Sequence, residues 1–247
     1  MKQRQSEIVN YLKINQFASV RELQELVNYS EATIKRDLIS LEKDGLIRRT
    51  RGGAIIIDDE KIDVPYLMKL TKLNEDVKKK YIANLAQPFI KDDMTIFIDS
   101  STTCLHLVNV LSKFEGLKII TNGVLTAVTL SEFTNAEISV IGGQVVHKRA
   151  TINGSRAYSN ILNYYADIAF VSCRGFDIIE GAFEVSEGEA LIKQGFRSQA
   201  NKLILLMDSS KIGKMYTHKS LKINEIDYIL VDEDIDIDNK IQVSVVY

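Results

Sequence analysis

From Asp76 onward the chain repeats one pattern: a short apolar run, then a stretch with helical spacing, then another apolar run. The runs are Thr95–Ile98, Leu117–Ile120, Ile138–Ile141, Ile168–Val171, Leu203–Met207 and Tyr228–Val231, with Val243–Val246 closing the chain. Helical spacing falls over Val77–Phe89, Thr103–Leu111, Val124–Leu130, Arg156–Leu162 and Glu187–Ala200. Strands that are apolar almost throughout cannot line a wet face. They belong in a mostly parallel sheet covered on both sides. The expected fold class is α/β for residues 76–247, a length sufficient for one such core.

The first 56 residues follow a different rule. A helix is expected from about Gln3 to Ile14, with Ile8, Tyr11 and Leu12 on one face. Ser19 precedes Val20-Arg-Glu-Leu with Glu22 three residues on, a capping box, and Val20, Leu23, Leu26 and Val27 form the expected buried stripe. After the short turn Asn28-Tyr29, Ser30 caps a helix predicted over Glu31–Lys43 that stops at Gly45. Ile34, Leu38 and Leu41 must face the core, so Ala32, Arg36 and Ile39 lie opposite with Lys35 flanking. Leu46–Ile55 reads as a hairpin with Gly52-Gly53 at its tip. Two helices joined by a tight turn, the second with a basic outer face, suit a DNA major groove, and the hairpin arginines suit its flanking phosphates. The candidate DNA contacts are Ser30, Ala32, Thr33, Lys35 and Arg36, with Arg48, Arg49, Arg51, Gly52 and Gly53 on the wing. Asp37 lies near the edge of the buried face and is expected to pair with a basic side chain rather than meet DNA.

Charge divides the same way. The whole chain is −2, yet residues 1–56 hold ten Lys and Arg against seven acids, making that segment +3 and the remainder −5. An anion-binding head on an acidic body is implied. Between them, 57–75 changes character at Asp58-Asp59-Glu60 and Pro65 and reads as a linker.

In open parallel sheets ligands collect beyond the carboxyl ends of strands. Those ends read Asp99-Ser-Ser-Thr-Thr, Thr121-Asn-Gly, Gly142-Gly-Gln, Ser172-Cys-Arg-Gly and Asp208-Ser-Ser-Lys. Ser100, Ser101, Thr102 and Thr103 entering a helix place hydroxyls and free N–H groups around one point, as a phosphate requires. Lys211 adds a cation, and Asp99 an acceptor for a sugar hydroxyl. The bland alternative is that each segment is only a strand-to-helix turn, since these residue types favour turns.

These motifs together resemble the DeoR-type bacterial regulators. The likeness runs through Val20-Arg-Glu-Leu, Tyr29–Leu38, Leu41–Gly45 and Arg49–Ala54, then Lys79–Ala83, Asp99–Thr103, Thr121-Asn122, Ile141–Gly143, Asn153-Gly154, Phe170–Gly175 and Asp208–Gly213. Two positions depart from the family pattern. Lys35 stands where Arg is usual, and Thr50-Arg51 replaces an aromatic or His before the double glycine. The resemblance implies a winged helix-turn-helix followed by a body similar in fold to ribose-5-phosphate isomerase and the CoA transferases. It implies a repressor of a sugar catabolism operon, released by a phosphorylated sugar metabolite. Asp99, Ser100, Ser101, Thr102, Thr103, Thr121, Asn122, Gly142, Gly143 and Lys211 would line the site.

The alternative is an isomerase-like enzyme carrying a regulatory head. The related isomerases use an acidic Asp-Gly-Ala-Asp loop where this chain has Ser172-Cys173-Arg174-Gly175, so no catalytic activity is expected, although Glu184, Glu187 or Glu189 could reach the site. His106, His147 and His218 are far apart, and Asp234–Asn239 lacks the glycine and glutamate of a calcium loop. Neither a metal nor a cofactor is expected. Met1–Asn10 carries Lys2, Arg4 and Glu7 with no apolar segment following, and Cys104 and Cys173 form no disulfide framework. These point to a cytoplasmic protein without a membrane partner. Its expected partners are operator DNA, the effector and further copies of itself, as a dimer or tetramer.

Overall fold

The computed structural model describes residues 3–15, 17–44, 46–50, 52–56, 76–147, 149–234 and 243–247. It contains two compact units, Met1–Thr71 and Lys72–Tyr247. The expected linker at 57–75, the wing residue Arg51, Gly45 and most of the acidic run after Asp234 lie outside the described residues.

The smaller unit runs α1 (Gln3–Asn15), β1 (Phe17–Ser19), α2 (Val20–Val27), α3 (Glu31–Lys43), β2 (Ile47–Arg49) and β3 (Gly53–Ile56). The capping box forms: Ser19 Oγ accepts from the Glu22 N–H at 3.2 Å, and the Glu22 carboxylate takes the Ser19 N–H at 2.7 Å. Asn28 ends α2 in the left-handed region, and Ser30 accepts from the Thr33 N–H at the start of α3. Ile8, Leu12, Leu23, Ile34, Leu38, Leu41 and Ile47 fill one core. Leu26 is the exception to the expected stripe. It is 41% exposed, because it sits about 100° round the helix from Val27. The sequence pattern also lacks β1, a three-residue strand too short to show alternation. It pairs antiparallel with β3, so the expected hairpin, formed by β2 and β3, is extended to a three-stranded sheet in the order β1-β3-β2.

The larger unit opens with α4 (Val77–Leu85), then β4 (Thr95–Ile98), α5 (Thr102–Leu105), α6 (Val108–Leu111), β5 (Lys118–Thr121), α7 (Val124–Phe133) and β6 (Glu137–Val140). A small hairpin of β7 (Gln144–Val145) and β8 (Ile152–Asn153) leads to α8 (Ser155–Ile161) and β9 (Ala166–Val171). Next come β10 (Gly175–Asp177), β11 (Gly181–Glu184), α9 (Glu187–Ser198), β12 (Ala200–Leu206), β13 (His218–Leu221), β14 (Tyr228–Leu230) and β15 (Ser244–Val246). Two expected helices are shorter. Pro88 has no N–H to donate, and α4 stops at Leu85 before a 3₁₀ turn over Gln87–Phe89. Thr103–Leu111 divides because His106 and Leu107 donate to the carbonyls three residues back, tightening the turn between α5 and α6.

Seven strands form one parallel sheet in the order β15-β14-β12-β9-β4-β5-β6. Alternate residues feed opposite cores: Phe97, Val171 and Leu205 on one face, Ile96, Ile98, Phe170 and Leu206 on the other. Phe97 stacks on Phe196 of α9 at 4.6 Å. The chain leaves β4 toward β5 and β6, then returns to place β9 on β4's other side. That reversal is a topological switch point, where diverging connections leave a crevice beyond the strand ends. β10, β11 and β13 make a separate antiparallel sheet that alternation did not reveal.

Candidate DNA-binding face and effector site

On α3, Ala32, Lys35 and Arg36 are exposed and Thr33 partly so, while Ile34, Asp37 and Leu38 are buried. Ser30 and Thr33 share a hydroxyl hydrogen bond of 3.0 Å at the helix start. Lys35 pairs with Glu31 one turn back at 2.7 Å; Arg36 stands exposed beside it. Asp37 is met by Arg4 and by the Gln5 amide, and the Arg4 guanidinium lies 4.2 Å above the Tyr29 ring. That carboxylate binds α1 to α3 and is not offered to solvent.

The wing residues divide between surface and scaffold. Arg48 is exposed, whereas Arg49 is held to Glu42 of α3 through both its backbone N–H (2.9 Å) and its Nε (2.7 Å). Gly52 is open to solvent. A Cβ on Gly53 would fall 2.0 Å from the Ala18 carbonyl oxygen, so β1 and β3 approach this closely only over a glycine. Gly53 therefore serves the packing of the wing.

In the larger unit, the loops after β4 and β9 meet across the switch point. Asp99 is buried there; its Oδ1 accepts from the Ser101 N–H (2.9 Å) and its Oδ2 from the Ser172 N–H (2.8 Å). Lys193 of α9 reaches the same carboxylate at 3.2 Å and Glu184 at 3.1 Å, while Glu189 lies one helical turn from it. Two carboxylates thus share one buried ammonium, and the charge of Glu189 acts on it from one turn away. Burial works to raise the Asp99 pKa, but Lys193 and the two N–H donors outweigh it and hold the carboxyl low. For Glu184 and Glu189 burial wins and the carboxyls are pushed up. Burial would lower Lys193, but the carboxylates around it raise it well above the ordinary range.

Ser100 donates to Thr151 at 2.8 Å, and the Asn122 Nδ2 donates to Thr151 Oγ1 at 2.9 Å and to the Ile152 carbonyl at 3.2 Å. Because a carbonyl only accepts, this last bond fixes which way the Asn122 amide faces. Its Oδ1 is left buried without a partner. Thr121 is also buried and accepts from the Gly123 N–H at 3.0 Å. Ser101 caps α5, Thr102 is half-buried and Thr103 is buried. Lys211 sits half-buried in the 3₁₀ turn Ser209–Lys211, near enough to Cys173 for its charge to oppose the rise that burial imposes on that thiol.

The structure thus brings Asp99, Ser100, Ser101, Thr121 and Asn122 together at adjoining strand ends. Gly142 and Gly143 belong to the loop between β6 and β7. The Gly142 carbonyl takes the Asn160 amide at 3.0 Å, and Gly143, at φ +155, backs onto Ile152 and Ala157. Sequence reasoning missed Thr151, which gave no signal in an irregular stretch. It also missed Lys193, whose signal was a lysine among Ala190, Ile192 and Phe196 on the buried face of α9. Among the described residues, no group of three or more His, Cys, Asp or Glu is placed to hold a metal ion. No helix among them is long and apolar enough to cross a membrane.

A winged helix-turn-helix joined to an α/β unit with polar strand ends defines a two-unit regulator, one part facing DNA. Residues 4–60 match the DeoR-like helix-turn-helix domain, and residues 74–233 match the DeoR C terminal sensor domain. The chain belongs to the DeoR family of helix-turn-helix transcriptional regulators. It is 32% identical over 238 residues to the HTH-type transcriptional regulator GolR of Listeria innocua, covering 94% of this chain and 91% of that protein. It is 29% identical over 225 residues to the HTH-type transcriptional repressor GlcR of Bacillus subtilis, covering 91% and 86%. Ribose 5-phosphate isomerase A of Methanocaldococcus jannaschii superposes with a TM-score of 0.41 at 17% identity, over 56% of this chain and 55% of that one. So partial a superposition carries no functional meaning.

Proposed function

We propose that the protein represses a sugar catabolism operon and is released from its operator by a phosphorylated sugar metabolite. The winged unit (1–56) holds the DNA, 57–75 links, and 76–247 binds the effector. The observation that carries this reading is the convergence of Ser100, Ser101, Asn122 and Thr151 at the strand ends, above the Lys193 cluster. Hydroxyls and backbone N–H groups there suit a phosphate, and the buried acceptors suit the hydroxyls of a carbon chain. GlcR, a relative along most of its length, bears the name of a repressor. Ser30, Ala32, Thr33, Lys35 and Arg36 would enter the major groove, with Arg48, Arg51 and the Gly52 tip along the phosphates. Repeated half-sites require at least a dimer.

The reading is tested by footprinting the upstream region of the protein's own operon with and without a panel of phosphorylated sugars. One of them is expected to lift the footprint. Lys211→Ala should keep the footprint and blunt the release. A panel that leaves the footprint unchanged, or a variant that responds normally, overturns the effector assignment. Turnover of a pentose or hexose phosphate by the purified chain would replace this reading with that of an isomerase.

A further inference from the structure

We propose that the first turn of α4, at Asp76 and Lys78, is the output of the effector site, tied at once to both of the loops that would close on a phosphate. The inference rests on reading the strand ends as that site.

Asp76 is the N-cap of α4: it accepts from the Lys79 N–H at 3.1 Å and pairs with Lys79 Nζ at 2.7 Å. It is also the first described residue after the 57–75 segment, through which the chain arrives from the winged unit. Lys78, two residues on, reaches Ser209 Oγ at 3.2 Å, Asp232 at 2.5 Å and Glu233 at 3.3 Å. Asp232 in turn accepts from the Ser209 N–H at 2.6 Å and its hydroxyl at 3.2 Å. One ammonium therefore spans the ends of β12 and β14, and the turn that it grips is the turn that presents Lys211.

A second tie comes from the other loop. α5 begins directly after Ser101 and is only four residues long. Its C-cap, His106, places Nδ1 2.7 Å from the Thr102 carbonyl. α5 also packs directly against α4, with Cys104 in the same core as Ile82 and Ala83. Burial raises the Asp76 pKa, and Lys79, with a smaller part from His106, brings it below the ordinary value. A shift at Ser101 or Thr102 would be carried by this single turn and, through the packing of α5 on α4, to the start of α4. The Lys211 turn and the Ser101 turn thus end on the same few residues.

These ties do little to hold the fold. The Lys78 side chain is 55% exposed, so its ammonium keeps access to water, although the Asp232 carboxyl it meets is nearly buried. Asp232 keeps both Ser209 donors without it. An element that bridges two loops yet is dispensable for folding is free to respond when those loops move.

The chain has no tryptophan, so Tyr81→Trp sets a single fluorescent reporter on α4, one turn beyond Lys78 at a half-exposed position. The full chain carrying it is titrated with inorganic phosphate, and binding is measured separately by equilibrium dialysis with labelled phosphate. Emission is expected to change with the midpoint of the dialysis curve. Adding Lys78→Met should leave phosphate affinity within about threefold. The same change should shrink the emission change by at least roughly fivefold. Lys78→Arg should restore it. Bound phosphate without an emission change in the parent overturns the inference and leaves the effector site standing. So does a full emission change in the Lys78→Met chain, or a loss of phosphate binding there, which would make Lys78 a ligand contact. If dialysis finds no phosphate bound to the parent, the effector reading fails and takes the inference with it.

Discussion

In the winged unit the lysines and Arg36 of α3 and Arg48 of the wing face solvent, and the buried carboxylate Asp37 is met at once by Arg4 and Gln5. In the effector unit Asp99 and Glu184 share the buried Lys193, and Glu189, one helical turn away, adds its charge to the same cluster. The first arrangement leaves charge hydrated and available to a partner of opposite sign. The second removes charge from water, which costs far more and is compensated only while every member stays in place. A surface that meets DNA needs nothing more than the first. A site that must discriminate one small molecule gains from the second, because buried polar groups penalise a ligand that leaves them unpaired.

The contrast gives its largest effect at the buried cation. Lys193→Met should destabilise the effector unit by about 3–5 kcal/mol, since the buried Asp99 and Glu184 then lose their common partner. Urea unfolding followed by circular dichroism should show the transition of the larger unit moved and that of the smaller unit in place. A shift below about 1 kcal/mol would mean that the cluster is hydrated like a surface pair. Next comes the exposed counterpart. Arg36→Ala should leave both transitions unmoved and weaken operator binding by about 1–3 kcal/mol, roughly fivefold to 150-fold. Unchanged affinity in a gel shift would remove Arg36 from the groove.

The smallest effect concerns pH. Burial raises Glu184 and Glu189 above the usual carboxylate range. A carboxyl with a raised folded pKa stabilises the fold below its unfolded pKa and loses that contribution as pH rises through the folded value. Glu189→Gln should therefore raise the melting temperature near neutrality by about 2–4 °C and flatten the decline from pH 5 upward. A variant whose decline is as steep as the parent's would show that Glu189 is not a source of it.

The two units also differ in how much of them the sequence revealed. The winged unit is made by neighbours: Ser19 with Glu22, Ser30 with Thr33, and Ile34 with Leu38 and Leu41 lie within a few turns, so periodicity and capping identify them. Its one surprise, β1, is made by pairing with β3 across more than thirty residues. In the effector unit the strands of the parallel sheet were legible as apolar runs: the inner ones, β4, β9 and β12, are buried on both faces, and the edge strands β6 and β15, though partly exposed, keep the same apolar character. The loop residues Asp99, Ser100, Thr121 and Asn122 were legible because a strand end is a place to look. Thr151 and Lys193 were not. One comes from an irregular stretch and the other from mid-helix, and only the packed fold brings them to Ser100 and Asp99. The antiparallel strands β10, β11 and β13 escaped because Gly175-Phe-Asp, Gly181-Ala-Phe-Glu and His218-Lys-Ser-Leu carry no apolar run.

The contact of β1 with the wing has a further consequence for how DNA is read. The Val20 N–H at the start of α2 donates to the Gly52 carbonyl at 2.9 Å, and Arg49 is fastened to Glu42 of α3. The wing, α2 and α3 are thereby preorganised as one body. Their loss of freedom falls in folding rather than in binding, so little ordering entropy opposes the encounter. Such a reader tests a half-site at a fixed phase between groove and flanking phosphates. A duplex with the right bases but an altered groove width would then be rejected by geometry alone.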